Sequence, residues 1–128
     1  MNENQKALAN SVLRIKFDDM TNEELNLGLA ILMGFDPRVE EGKVYVKYEG
    51  LDEFEYFPMD NDVQFFQILR NQPFVVASHE KYDDKTNSEK VTGYWYSAHA
   101  YIGGTSTEGH DYKEVVAETA MKLLEHNM

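Results

Sequence analysis

FVVASHEKY (Phe74–Tyr82), DDKTNS (Asp83–Ser88) and KVTGYWYSAHAYI (Lys90–Ile102) follow one another almost without a gap. The outer two runs are rich in β-branched and aromatic residues, and the tract between them is wholly polar, which is the pattern of two strands and their connecting loop. A short loop of this kind joins antiparallel strands. Gly93, inside the second run, marks a bulge or a close backbone approach.

Outward from this hairpin, Pro73 stops a helix that Asp60 or Asn61 caps and that spans about Asp62 to Arg70, with Val63, Phe65, Phe66 and Leu69 on its apolar face. Before it, Lys43 to Glu49 alternates with Val44, Val46 and Tyr48 on one side, and Phe54, Tyr56 and Phe57 form a partner run that ends at Pro58. Gly50-Leu51-Asp52 turns the chain between them, and Glu40-Glu41-Gly42 reads as a turn before them. The spacing predicts a second antiparallel hairpin here.

Thr21-Asn22-Glu23-Glu24 is a capping box, with Met20 and Leu25 placed as its hydrophobic staple. The helix it opens runs to about Met33, carries Leu25, Leu29 and Leu32 on one face with Gly28 and Ile31 alongside, and ends at Gly34, with Phe35 folding back. Leu8, Val12 and Ile15 give Asn4 to Phe17 the same periodicity. At the other end, Asp111-Tyr112-Lys113-Glu114 is a second capping box; Tyr112, Val115, Val116, Thr119, Ala120, Leu123 and Leu124 form one stripe behind it. Gly103 to Gly109 reads as a loop. The predicted order is α-α-β-β-α-β-β-α: one α+β domain over residues 1–128, with helices packed on a single four-stranded, mainly antiparallel sheet and residues 1–20 as an N-terminal helical extension.

Charge narrows the function. With 23 Asp and Glu against 12 Lys and Arg, the chain has a formal net charge of −11, a surface that repels nucleic-acid phosphates and anionic headgroups and attracts basic partners. Direct nucleic-acid binding is therefore excluded as the expectation. No run approaches the roughly 18–20 apolar residues of a membrane span, the first residues lack the basic start of a signal peptide, and the absence of cysteine removes disulfides and thiolate sites. The expectation is a cytoplasmic protein.

Three pieces of the chain resemble the phage ABA-sandwich domain family. They are Glu24-Leu25-Asn26 through Ala30-Ile31-Leu32-Met33-Gly34-Phe35, the turn Tyr56-Phe57-Pro58-Met59-Asp60-Asn61-Asp62, and the closing helix Tyr112 to Leu124 after a Ser/Thr/Gly-rich stretch. The resemblance covers about Thr21 to the C-terminus. It implies a phage or prophage origin, hence the cytoplasm of a host cell, and a sandwich-like α+β fold. It supplies no catalytic residue and no activity.

Candidate chemistry is sparse. His79 and His99 fall in the two paired strands and are candidate cross-strand neighbours, with Glu80 nearby, but no His-x-x-x-His or His-Glu-x-x-His spacing accompanies them. Ser78 with His79, and Ser97 with His99, lack the Gly-x-Ser-x-Gly elbow, and adjacent strand residues point to opposite faces. No catalytic residue, metal or cofactor is assigned, and the chain is read as non-enzymatic. The leading expectation is a small acidic phage-type accessory protein that binds a host protein with a basic surface, such as a component of host defence, and occludes a surface that handles nucleic acid. Glu49, Asp52, Glu53 and Glu55 of the first hairpin are its predicted contacts, with Tyr94 and Tyr96 as aromatic anchors for a partner or a second copy. The alternative is a binder of a small anionic metabolite or signalling nucleotide, using backbone amides of Gly103, Gly104 and Thr105 before the last helix.

Overall fold

The computed structural model describes residues 1–83, 87–100 and 105–128. Among them are four helices, α1 (Glu3–Leu13), α2 (Asn22–Leu32), α3 (Asp62–Asn71) and α4 (Tyr112–His126), with a 3-10 turn at Phe17–Asp19. The strands are β1 (Arg38–Glu40), β2 (Lys43–Val46), β3 (Phe54–Glu55), β4 (Phe74–Asp83), β5 (Asn87–Ala100) and β6 (Thr105–Gly109). The fold is α+β with antiparallel pairing throughout the described strands, but the single four-stranded sheet of the sequence reading is two separate three-stranded sheets, β1-β2-β3 and β4-β5-β6. Each predicted hairpin acquires a third strand, and the hairpins never join.

Both extra strands have local causes. Glu40 pairs with Lys43, leaving Glu41-Gly42 as a two-residue connection with φ of 53° and 78°. Positive φ at both central residues is the primed turn whose twist suits a hairpin, so the predicted turn also pairs the residues before it. β6 occupies much of the stretch read as a loop. Its Thr105–Gly109 backbone pairs with Ala100–Tyr96 of β5, and β-branched threonine suits a pleated, half-covered surface better than the loop-like composition suggests. Tyr101 and Ile102, assigned to the long strand, lie outside the described residues, as do Gly103 and Gly104. Around Gly93 the register steps from Lys81↔Gly93 to Tyr82↔Val91, so Thr92 is the extra residue of a bulge, and no atom approaches the Gly93 Cα side closely.

The helix boundaries follow from capping chemistry. Thr21 and Glu24 form the reciprocal capping box of α2, and Asp111 accepts from the Glu114 amide at 3.0 Å at the start of α4. At the end of α2, Gly34 has φ of 90°, the Phe35 amide donates to the Ala30 carbonyl at 3.0 Å and the Gly34 amide to Ile31 at 2.9 Å. This is the double hydrogen bond of a left-handed helix stop, a conformation that costs glycine least.

Helices α2 and α4 pack on each other; α2 carries the first sheet through β2, and α4 carries the second through β5 and β6. Their approach is close at Gly28, where an added Cβ would stand 2.6 Å from the Met121 sulfur. α1 packs on α2 and α4, burying Ala9 and Val12 in the same core as Leu29, Val46, Ile68 and Leu124. Phe65, Ala98, Val115 and Val116 form a second cluster beneath the β4-β5-β6 sheet. The α3 face differs from its predicted composition. Phe65 and Ile68 are buried, whereas Val63 and Phe66 are exposed, because two stripes satisfy helical spacing and only packing selects one.

Candidate functional site

Of the four hairpin carboxylates, Glu53 is held by a described ion pair and the other three are not. Glu53 and Glu55 share the outer face of the first sheet with Arg38 and Tyr45, because Arg38 pairs with Tyr45 and Tyr45 with Glu55. The Arg38 guanidinium lies 4.6 Å from the Tyr45 ring centre, donates from Nε to Glu53 at 3.1 Å and also contacts Glu40. Hydrogen bonding from Arg38 lowers the Glu53 pKa from its ordinary value, and the two carboxylates raise that of Arg38. Glu49 and Asp52, in the exposed connection between β2 and β3, and Glu55 on β3 are in no described ion pair. Arg38 lies upstream of the predicted hairpin, and the pairing of β1 with β2 brings it to this face.

The aromatic anchors also change. Consecutive side chains of β5 alternate between faces. Tyr96 turns toward α4, where its ring packs 5.5 Å from that of Tyr112 and joins the second core cluster. Tyr94, on the same side but beyond the helix, is 53% exposed. Trp95 points the other way. So do His79, opposite it on β4, and Ser97, opposite Ala77 on β4 and Glu108 on β6. No helix packs on this outer face among the described elements. His79 and His99 are not cross-strand neighbours: His79 pairs with Trp95 and His99 with Val75, four residues apart along the ladder.

The sequence reading paired each serine with a histidine of its own strand and missed the contact that forms across strands. His79 Nε2 lies 3.0 Å from Ser97 Oγ, and the imidazole stacks on the Trp95 ring with centroids 3.9 Å apart and planes 14° from parallel. Strand alternation put these residues on one face; their register was set by the length of the hairpin connection, which composition does not specify.

A second negative surface lies elsewhere. Asp18 of the 3-10 turn, Glu108 of β6, the cap residue Asp111, and Glu114 and Glu118 of α4 line one groove around His110, and no lysine or arginine is among its described lining residues. The two lysines of α4 are held elsewhere. Lys113 Nζ lies 2.8 Å from the Asp62 carboxylate and donates to the Met59 carbonyl at 3.1 Å, while Lys122 donates to the Ser106 carbonyl at 3.3 Å. Through Glu108, Gly109 and His110 the groove continues into a second one of about 370 Å³, lined also by Trp95 and Lys81. Among the described residues, no three carboxylates or imidazoles converge tightly enough to hold a metal ion. The surface therefore suits a spread of positive charge better than a single cation.

For the anionic-ligand reading, Gly103 and Gly104 lie outside the described residues, and Thr105 begins strand β6. The N-terminus of α4 is filled by the Asp111 side chain and flanked by Glu108 and Glu114. A second anion there would meet like charge where a phosphate site needs free amides. No helix among the described residues is long and apolar enough to cross a membrane. No family model matches the chain, and no curated protein matches it.

Proposed function

We propose that this protein acts by binding the basic surface of a protein partner, and that the contact is the acidic groove between the 3-10 turn, β6 and the first half of α4. The observation that carries this reading is the five carboxylates Asp18, Glu108, Asp111, Glu114 and Glu118 in one groove without a lysine or arginine among its described lining residues. Such a field speeds encounter and fixes orientation, and a bound acidic domain excludes nucleic acid from the surface it covers. The resemblance to phage ABA-sandwich proteins agrees with a prophage accessory protein that occupies a host protein in this way. The hairpin carboxylates take a lesser part, because Arg38 already satisfies Glu53 and Glu40.

A nona-lysine peptide at low salt tests the placement, with affinity read by calorimetry. Asp18→Lys, Glu108→Lys and Glu118→Lys together leave the Asp111 cap intact and weaken binding about tenfold or more. Reversing Glu49, Asp52, Glu53 and Glu55 to Lys changes it only about two- to threefold. Equal losses, or a larger loss from the hairpin set, overturn the groove assignment.

A further inference from the structure

We propose that Trp95 and Glu108 form a receptor for one arginine side chain at the end of the acidic groove, so that the partner segment is arginine-bearing and not merely cationic; this rests on the basic-partner reading above. Three observations support it. Among the described residues, no helix packs on the outer face of the β4-β5-β6 sheet, and it presents a half-buried indole. That indole is braced on the β4 side: His79 stacks on it at 3.9 Å, and Ser97 holds His79 at 3.0 Å. It also lines the 370 Å³ groove together with the exposed Glu108 carboxylate, which belongs equally to the lining of the acidic groove.

A ring face beside a carboxylate distinguishes the two basic side chains. A guanidinium is planar and weakly hydrated, so it stacks flat on indole while its fork of donors meets a carboxylate. An ammonium is a compact, strongly hydrated point charge that gains only the electrostatic part. Lys81, the one lysine among the described residues of this lining, stands on β4, across β5 from Glu108. A cationic segment anchored on Trp95 is therefore repelled on the β4 side and drawn toward Asp111, Glu114 and Glu118. The charge complementarity runs in one direction along the surface.

Trp95 is the only tryptophan of the chain, so its emission reports this position alone. The full chain is titrated with nona-arginine and nona-lysine peptides of equal charge. Nona-arginine is expected to bind about tenfold more tightly and to shift or quench Trp95 emission, while nona-lysine binds with little emission change. Trp95→Ala, followed by calorimetry, brings nona-arginine to the nona-lysine affinity and leaves nona-lysine unchanged; Trp95→Phe keeps part of the preference. Equal affinities for the two peptides, or an arginine preference that survives Trp95→Ala, overturn the receptor and leave the acidic groove standing. Binding of neither peptide overturns both readings.

Discussion

The first sheet, β1-β2-β3, and the second, β4-β5-β6, are both three-stranded and antiparallel, yet they dispose of their outer faces in opposite ways. The first is built from strands of 3, 4 and 2 residues, with Val44 and Val46 turned into the main core. Its outer face closes on itself, since one arginine serves the carboxylates of Glu40 and Glu53 and covers Tyr45. The second has strands of 10, 14 and 5 residues and rests on α4. Its outer face keeps an indole, an imidazole and a carboxylate with no helix packed over them among the described residues. A face whose charges are partly paired has less left for a partner, because binding must first break what is satisfied. Net charge alone would favour the hairpin; the local pairing of charge favours the other sheet.

The sharpest way to break this contrast is to truncate one residue on each face of the second sheet. Phe65 is 1% exposed beneath it, with its ring 5.9 Å from that of Tyr112. Phe65→Ala removes a buried ring and leaves a cavity, with an expected loss of about 4 kcal/mol in denaturant unfolding. Trp95→Ala on the open face removes a larger ring but costs only about 1 kcal/mol, mostly its stack on His79. Similar losses from the two variants would mean that the outer face is structural.

A smaller effect concerns the first sheet. Tyr56 is 2% exposed, and its hydroxyl has no hydrogen-bond partner among the described residues. Tyr56→Phe removes that orphan group and is expected to raise stability by about 1 kcal/mol at neutral pH. Burial also raises the Tyr56 pKa above its ordinary value. The folded chain then holds a proton that the unfolded chain releases, so stability is intact below about pH 10 and falls as pH rises past it. Tyr112, also raised by burial, adds to the fall under the second sheet. Thermal melts between neutral and strongly alkaline pH should show a shallower loss in Tyr56→Phe than in the natural chain; an identical slope would remove Tyr56 from the account.

The smallest expected effect lies at the turn that gives the first sheet its third strand. Glu41 holds φ of 53°, a region that disfavours side chains other than Asn, Asp and Gly. Glu41→Asn should stabilise the chain by about 0.5 kcal/mol, read as a shift in melting temperature, because Asn-Gly is the preferred pair for this turn. A loss instead would show that β1 depends on the Glu41 side chain and not on the turn.

Much of this molecule is settled over short distances along the chain. The capping box at Thr21, the one-way cap at Asp111, the stop at Gly34 and both hairpins are each enforced by a few neighbouring residues, so the sequence alone determined them. What tertiary structure decided depends on partners far apart in sequence. It divided the strands into two sheets, chose Phe65 over Phe66 for the core, turned Trp95 outward and Tyr96 inward, brought Arg38 to Glu53, and gathered Asp18, Glu108 and Glu118 into one groove. These outcomes follow from strand register and helix packing, where a shift of one residue exchanges the two faces of a strand and only long-range contacts select between them.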